Sequence, residues 1–375
     1  MQLLLSMVFL YQCLEQSTVR LIKMRSLELF AGLGGMAKGL ELAGFEAVHL
    51  VELNPQACNS LRANFNPDLV FEGDVRAFDA TPFAGIDLLA GGPPCQPFSL
   101  GGLSKAHHDE RDMFPNTARI LAQCCPKAFI FENVKGLVRK SFQEYFEYIL
   151  LTLTYPLEKR SDDEPWQMHK ARLEKIDLDN YVSVSYTVSY KMLNAADYGV
   201  PQRRERVFIV GVRNDLKLKW DFPKPTHANN ASNNRVERIS DNLMPWVTLG
   251  EALKGIPEPD QVGTFKVDHI LRSGARIYEG HTGSPLNEPA KTIKAGAHGV
   301  PGGENMIRFD DGSVRYMSTY EAKLVQTFPS DYVVTGGASA ALRQIGNAVP
   351  VKLAYILGKQ LNKMLQEASE ETASI

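Results

Sequence analysis

One cysteine of this chain has a setting that could make it a nucleophile. Cys95 lies in the segment 91–99, which reads GGPPCQPFS and follows the apolar run 86–90. An apolar run that ends in glycines and prolines predicts a buried strand that stops sharply. The prolines on both sides restrict the backbone around the thiol. A thiolate at the edge of a sheet can add to an electrophilic carbon, and the alternative interpretation is a thiol that only packs in the core.

Two further groups are predicted at the same edge of the sheet. Glu132 and Asn133 end another apolar run, and the segment 202–206 reads QRRER before a further one. Alternate residues of an extended segment face one side, so Gln202, Arg204 and Arg206 are predicted to act together, on a carbonyl or a phosphate group. A solvated run of charges is the alternative. A thiol, an acid and an arginine on one rim predict addition chemistry in which the acid and the arginine stabilise the developing charge.

A glycine-rich turn precedes these groups in the chain. Residues 30–35 read FAGLGG and join the first predicted strand to the first predicted helix. Glycines let backbone N–H groups approach a ligand, and a helix N-terminus favours an anion. Glu52 ends the second strand, where an acid can bind a ribose diol, and Asp74 follows the third, where it could accept from an adenine amino group. With Phe30 available to stack on adenine, the set predicts an adenosine-containing cofactor without saying which one.

The pattern of apolar residues predicts the elements that would position these groups. Strands are predicted at 26–30, 48–52, 86–90 and 128–132, and helices at 36–43, from Pro55 with Asn54 as its cap, at 113–124 and at 142–151. Residues 181–190 and 206–212 are predicted to close the sheet as an antiparallel pair. Helices return at 319–326 and from 351. This order predicts an α/β fold with a mostly parallel sheet that is covered on both faces.

Composition limits the class of protein. The chain has 375 residues, 44% apolar and 22% charged, with a formal net charge of −2. These values are typical of a globular protein with two domains, or one domain with an insertion. Any nucleic-acid binding must therefore come from a local basic face. Five cysteines without a CxxC pair predict a reducing compartment, hence the cytoplasm, and no metal site.

The first residues are apolar without the features of a targeting segment. Residues 1–14 lack a basic start and a small-residue cleavage site, and the apolar run is too short to span a membrane. We therefore expect no membrane association. Met24 stands directly before the first predicted strand, so we expect Met24 to be the natural start and residues 1–23 to be an N-terminal extension.

Taken in order, the motifs resemble those of the DNA (cytosine-5-)-methyltransferases of the bacterial restriction–modification type. The resemblance runs from Met24 to the C-terminal helix. It implies a Rossmann-like S-adenosylmethionine-dependent methyltransferase sheet with a smaller, irregular target-recognition domain. The segments that carry it are 30–35, Glu52, 73–74, 91–99, 132–134, 202–206, 315–329 and 344–350.

The resemblance also implies which residues hold the cofactor, S-adenosyl-L-methionine. Phe30 would lie against the adenine, Glu52 would bind the ribose, and Asp74 would lie near the adenine amino group. The other residues implied for this pocket are Gly32, Leu33, Gly34, Gly35, Leu53, Val75, Pro94, Asn347 and Val349.

The implied reaction is methyl transfer to carbon-5 of a specific cytosine in double-stranded DNA. The cytosine would be flipped out of the duplex, because its reacting edge is unreachable in the stack. Cys95 would add to ring carbon-6, Glu132 would hydrogen-bond the ring nitrogen and exocyclic amino group, and Arg204 would bind the carbonyl oxygen. The family further implies protection of host DNA from a cognate restriction endonuclease, and we expect a monomer.

DNA contacts are implied for the segment after Cys95 and for two later residues. Residues 96–115 contain two glycines and a polar cluster, which is typical of a lid, although a plain surface loop is the alternative. The implied DNA-binding residues are Gln96, Ser99, Arg111, Arg206 and Thr292. The expected division is a catalytic and cofactor-binding domain at 24–212, a target-recognition domain at 213–305, a hinge and recognition-domain edge at 306–335, and a returning segment at 336–375.

Four alternatives stay open at this level. An RNA cytosine methyltransferase could share the scaffold, but the chain lacks the Cys-Phe-Thr element of those relatives. A DNA-binding regulator without activity would have lost Cys95 or Glu132. A nicotinamide-dependent oxidoreductase would carry GxGxxG in the first turn. A zinc deaminase would need a P-C-x-x-C element, of which the chain lacks the second cysteine.

Overall fold

The computed structural model describes residues 23–94, 112–229, 243–295 and 305–373. Within these ranges seven strands form one sheet in the order β3-β2-β1-β4-β5-β7-β6. Strands β1 to β5 are parallel, and β7 runs antiparallel to both β5 and β6. The α/β fold with a mostly parallel sheet is confirmed. The strands are β1 Met24–Leu29, β2 Phe45–Glu52, β3 Val70–Glu72, β4 Leu88–Gly91, β5 Ala128–Val134, β6 Tyr186–Asn194 and β7 Glu205–Arg213.

Helices cover the two faces of this sheet because its central strands β4, β5 and β7 are buried on both sides. Leu27 and Leu29 of β1 pack with helices α3, α4 and α5, whereas Met24 packs on the other face with α1 and α9. The helices of this part are α1 Gly35–Leu42, α2 Pro55–Asn64, α3 Phe114–Cys124, α4 Gln143–Thr154 and α5 Trp166–Leu173, and the C-terminal helix is α9 Val351–Ala373. The predicted cap of α2 is confirmed: the Asn54 side chain accepts from the backbone N–H groups of Gln56 and Ala57.

The region after β7 is irregular, with short elements. Two small sheets occur in it, and a pair of helices leads back to α9. The division of the chain at 213, 306 and 336 stays a prediction. The elements are β8 His227–Ala228, β9 Met244–Pro245, α6 Leu249–Ala252, β10 Ser284–Pro285, β11 Met306–Arg308, β12 Val314–Tyr316, α7 Thr319–Val325 and α8 Ala338–Asn347.

The predicted start of the sixth strand was wrong. Alternation of apolar residues predicted a strand over 181–190, but β6 begins at Tyr186, and Val182 is fully exposed. Tyr186 already pairs with Arg213, the last residue of β7, so the residues before it have no partner on that strand. Periodicity alone does not reveal where a neighbouring strand ends.

The described residues lack two structural features, a membrane-spanning helix and a cluster of metal-binding side chains. No helix in the described ranges is long and apolar enough to cross a membrane. Over the same residues, no group of three or more His, Cys, Asp or Glu side chains is placed to hold a metal ion.

Candidate active site

The glycine-rich turn is held in shape by the acid at the end of the neighbouring strand. Glu52 accepts from the backbone N–H of Gly32 through Oε2 and from that of Asn54 through Oε1, both at 2.7 Å. Phe30 and Gly32 have φ values of 54° and 55°, so the chain reverses sharply before α1 begins. The carboxylate predicted to bind a ribose therefore also organises the turn that precedes the first helix.

Close packing brings the end of α8 against the start of α1. A Cβ on Gly35 would lie 2.2 Å from the backbone oxygen of Val349, so only glycine fits there. On the other side of the turn, Tyr332 donates from its hydroxyl to the backbone oxygen of Leu33 at 2.6 Å. Of the predicted cofactor residues, Gly35, Leu33 and Val349 are thus brought together, and exposed Asn347 ends α8 beside them.

The other predicted cofactor residues differ in exposure and in their partners. Asp74 caps a 3₁₀ turn and forms an ion pair with Arg76 at 2.8 Å, and these hydrogen bonds lower the pKa of its carboxyl group. Val75 is buried, whereas Leu53 is 63% exposed. An exposed leucine next to Glu52 offers an apolar surface at the edge where β2 ends.

Glu28 is a candidate residue of the cofactor site that the sequence pattern did not reveal. It lies on β1, two residues before Phe30, and is almost fully buried. Its Oε2 has no hydrogen-bond partner among the described residues, and burial, followed by the charge of Glu52, raises the pKa of its carboxyl group well above the usual value. The only sequence signal was an acid between two leucines, Leu27 and Leu29.

Glu132 lies at the end of β5 and contacts Arg206 on β7. Arg206 Nε is 2.9 Å from Glu132 Oε1, and the two strands pair so that Glu132 faces Phe208. The N–H of that contact is not aligned for a hydrogen bond, so Oε1 is buried without a donor in the described structure. A Cβ on Gly92 would lie 3.6 Å from Glu132 Oε2, which places the Gly-Pro segment against this carboxylate.

Arg204 is placed differently from the prediction that made it the catalytic arginine. It is 1% exposed, and its Nη atoms donate to the backbone oxygens of Ile293 at 3.4 Å and Gly346 at 3.0 Å. Burial, reinforced by the charge of Arg206, lowers the pKa of its guanidinium to about 9. Arg204 therefore ties together three distant segments, while Arg206, which was predicted to bind DNA, is the arginine that contacts Glu132.

A buried polar network extends from this arginine. Gln202 accepts from the Ile293 N–H and donates to Gln326, which in turn donates to the backbone oxygen of Ile345. Thr292, a predicted DNA contact, donates from its hydroxyl to the Arg203 oxygen at 2.7 Å. The side chains of Gln202 and Arg204 thus both bind the backbone of Ile293, and the joint action that the spacing predicts for Gln202, Arg204 and Arg206 stays a prediction.

The prolines before the predicted nucleophile are anchored on both sides. Asn133 Nδ2 donates to the Pro93 oxygen at 2.9 Å, and the Met113 N–H donates to the Pro94 oxygen at 3.2 Å. These bonds join the end of β4 to β5 and to the start of α3. The predicted residues Cys95, Gln96, Ser99 and Arg111 lie outside the described residues.

The described cysteines differ from a nucleophile in their surroundings. Cys58 and Cys124 are fully buried, and burial raises the pKa of each thiol to about 12. Burial also raises the pKa of Cys125. These three thiols stay protonated at neutral pH, so none of them is an activated nucleophile.

Comparison with known proteins decides the family. The family model described as "C-5 cytosine-specific DNA methylase" matches residues 24–155 and 167–363. The chain belongs to the C-5 cytosine-specific DNA methylases. This methylase is therefore a DNA cytosine-5-methyltransferase, and its cofactor is S-adenosyl-L-methionine.

Curated relatives agree with that assignment, and solved structures share the fold. The methylase is 33% identical over 351 residues to the Type II methyltransferase M.NgoMIV of Neisseria gonorrhoeae, which covers 91% of this chain and 98% of the relative. It is 31% identical over 371 residues to M.Eco47II of Escherichia coli, covering 92% and 80%. A DNA modification methyltransferase from an E. coli prophage shares the fold, with a TM-score of 0.63 at 20% identity, over 92% of this chain and 99% of the other. Dnmt2 of S. pombe shares it as well, with a TM-score of 0.59 at 17% identity, covering 92% and 99%.

Proposed function

We propose that this methylase modifies one specific cytosine in double-stranded DNA through a covalent Cys95 adduct on a flipped base. We further propose that the modification protects host DNA from a cognate restriction endonuclease. The relatives named as Type II methyltransferases support the second part. The observation that carries the first part is the buried, undonated Oε1 of Glu132 beside Arg206, at the end of the strand next to β4.

The residues around the glycine-rich turn fit S-adenosylmethionine. The turn is already shaped by Glu52, and Glu28, two residues before Phe30, has a buried Oε2 without a partner among the described residues. We assign the pocket to Phe30, residues 32–35, Glu52 and Val349, with Leu53, Asp74, Val75, Pro94 and Asn347 at its edges. When bound, S-adenosylmethionine supplies an electrophilic methyl group on a sulfonium sulfur.

Glu132 would hold the cytosine ring. The ion pair with Arg206 at 2.9 Å leaves Glu132 Oε1 without an aligned hydrogen bond, so this oxygen can still accept one from a group that carries N–H. The exocyclic amino group of cytosine is such a donor. The ring nitrogen is an acceptor in the neutral base and becomes a donor only when it takes up a proton as charge develops on the ring. Glu132 is 8% exposed, so a base that reaches it must leave the stack of the duplex.

We assign the carbonyl oxygen of the cytosine to Arg206 rather than Arg204. Arg206 contacts Glu132, and its side chain is 16% exposed, whereas Arg204 is buried with both Nη atoms on backbone oxygens. A guanidinium at that place stabilises the charge that develops on the ring. Arg204 then acts as a positioning residue for the segments that contain Ile293 and Gly346.

The covalent step can be written with its electrons. The Cys95 thiolate forms a bond to carbon-6, and the electron pair of the carbon-5 to carbon-6 double bond moves toward the ring atoms held by Glu132 and Arg206. Carbon-5 would then displace the methyl group from the sulfonium sulfur: the carbon-5–methyl bond forms, and the pair of the methyl–sulfur bond stays on sulfur, which leaves as a neutral thioether. A base, water in the simplest case, then takes the carbon-5 proton. The pair of that C–H bond re-forms the double bond to carbon-6, the carbon-6–sulfur bond breaks, and Cys95 leaves as thiolate.

The proposal is tested with DNA that contains 5-fluorocytosine. Fluorine cannot leave as a proton does, so the wild-type protein should form a covalent complex that survives denaturing electrophoresis and depends on S-adenosylmethionine. Cys95→Ser should form none while it still binds the cofactor, and Cys125→Ser, which changes a described thiol far from the turn, should behave as wild type. A trapped complex with Cys95→Ser, or none with the wild type, would contradict the proposal.

A further inference from the structure

A basic turn follows the candidate catalytic acid. Residues Lys135–Val138 and Lys140–Phe142 form two consecutive 3₁₀ turns directly after β5, the strand that ends with Glu132, Asn133 and Val134. The side chains of Arg139 and Lys140, which we call the basic turn, are exposed. They therefore stand at the rim where the reacting base is proposed to bind.

Charge pairing singles out these two cations at the rim. Lys135 pairs with Glu205 at 2.7 Å, and Arg206 pairs with Glu132 at 2.9 Å, so those four charges cancel. Within the described part of the chain, neither Arg139 nor Lys140 forms an ion pair or a side-chain hydrogen bond. Glu144, in the first turn of α4, pairs with neither of them. Among the described residues, the basic turn therefore carries two positive charges that no acid neutralises by direct pairing, although the whole chain has a net charge of −2.

The backbone that carries the basic turn is fixed. Gly136 and Leu137 are buried, and Val138 and Phe142 pack against the main core. Arg139 donates from its backbone N–H to the Gly136 oxygen, and Phe142 donates to the Arg139 oxygen at 2.8 Å. The two cations therefore extend from a preformed platform, which reduces the entropy lost when they bind a partner.

The distance to Glu132 suits one partner. Two residues of strand and about one and a half 3₁₀ turns separate Glu132 from Arg139, which limits their separation to roughly 20 Å. Duplex DNA carries one phosphate per roughly 1.7 Å of axis. A duplex that delivers a cytosine to Glu132 therefore brings several phosphates within reach of the basic turn.

We propose that Arg139 and Lys140 bind phosphates of the duplex that flank the target cytosine. This inference rests on the proposed function, because it takes duplex DNA as the substrate. The contacts are to the backbone, so they add affinity for every sequence and carry none of the base specificity. Lys135, which is held by Glu205, belongs to the frame of the turn.

The test is the salt dependence of DNA binding by Arg139→Ala/Lys140→Ala. Binding of a long duplex free of 5-methylcytosine is measured between 50 and 200 mM salt, about the range over which phosphate contacts dominate. Two lost contacts should lower the slope of log K against log salt by about 2 and weaken binding by at least tenfold, on the order expected from counterion release. The kcat for methyl transfer at saturating DNA should stay at the wild-type value, while KM for DNA rises.

The matched control is Lys359→Ala/Lys363→Ala on α9. This variant also removes two positive charges from exposed positions. They flank Asn362, which lies against Gly44 at the amino end of β2, whereas Glu132 lies at the carboxyl end of β5. The slope of the control variant should equal that of the wild type. If the rim variant keeps the wild-type slope while the wild type methylates duplex DNA, the basic turn is not a phosphate site. If the wild type methylates no duplex DNA, the proposed function fails, and this inference fails with it.

Discussion

The glycine-rich turn and the Glu132–Arg206 pair lie at the same edge of the sheet and are built in opposite ways. In the turn, Glu52 accepts two backbone N–H groups and Tyr332 donates to the Leu33 oxygen. In the pair, Glu132 Oε1 is buried without a hydrogen-bond donor in the described structure. Buried polar groups are normally paired, so an open one is held by the rest of the fold at some cost in stability.

The difference between the turn and the pair matches the different functions that we propose for them. A cofactor-binding turn can have its polar groups hydrogen-bonded within the chain, because the cofactor binds to a conformation that is already formed. A site that stabilises developing charge must keep an acceptor and a cation open to the substrate. Substitutions in the turn should therefore change binding and folding, and substitutions in the pair should change the chemical step.

The largest expected effect is that of Glu132→Gln. An amide keeps the shape but loses the charge that stabilises the electron-rich ring, so kcat should fall by about 10²–10⁴-fold with cofactor affinity kept. Single-turnover methyl transfer measures the rate, and calorimetry measures cofactor binding. Glu205→Gln is the control, since Glu205 is an exposed acid on the same strand as Arg206 and forms an ion pair with Lys135. A slow Glu205→Gln, or a fast Glu132→Gln, would remove the distinction between the two acids.

Substitution of Arg206 should mainly lower kcat, whereas substitution of Arg204 should mainly lower the free energy of unfolding. Arg206→Lys keeps a positive charge beside the buried Glu132 but loses the planar guanidinium, so kcat should fall by about 10–10²-fold while the free energy of unfolding stays within about 1 kcal/mol of wild type. Arg204→Ala should lower that free energy by about 2–4 kcal/mol, because the Gly346 oxygen loses its donor and a buried side chain is removed. Urea unfolding and single-turnover rates, measured on both variants, decide the assignment. The opposite pattern would return the catalytic role to Arg204.

Gly35→Ala tests the glycine-rich turn. The new Cβ would meet the Val349 oxygen at 2.2 Å, so α1 and the end of α8 must move apart. We expect a loss of about 1–3 kcal/mol in the free energy of unfolding and weaker binding of S-adenosylmethionine. Lys38→Ala, a change at a partly exposed position of the same helix that removes an ion pair with Glu41, should leave both within experimental error. Unchanged cofactor binding by Gly35→Ala would place the cofactor away from this contact.

The smallest expected effect is a pH dependence from Glu28. The folded protein raises the pKa of this carboxyl group, so it binds more protons there than the unfolded chain does. The stability of the cofactor-free protein should then fall as the pH rises from about 4.5 through the raised pKa. Glu28→Gln should remove that part of the slope and be the more stable form at pH 8. Thermal unfolding at several pH values measures it, and equal slopes for both proteins would show that Glu28 has a partner in solution.

The sequence predicts the fold correctly where the local pattern of residues determines the structure. The five parallel strands, the cap at Asn54 and the antiparallel closure by β6 and β7 follow from apolar runs and turn residues. The start of β6 did not follow, because it depends on where β7 ends.

The burial of Arg204, as opposed to Arg206, did not follow from the sequence either. Both lie on the same side in an extended segment, and only the packing of Ile293 and Gly346 onto Arg204 shows which one is enclosed. Glu28 was missed for a related reason, since the burial of an acid depends on helices that are distant in the chain. Contacts between remote segments are what single-sequence patterns lack.

The most direct test of the central claim is the identity of the methylated product. Wild-type protein and Glu132→Gln are incubated with S-adenosylmethionine and unmethylated duplex DNA, and in parallel with RNA, and the digested nucleosides are identified by mass spectrometry. The wild-type protein should produce 5-methylcytosine in the duplex, and Glu132→Gln should produce at most traces of it. Methylation only of RNA, methylation of the exocyclic nitrogen of cytosine, or equal product from both proteins would contradict the claim.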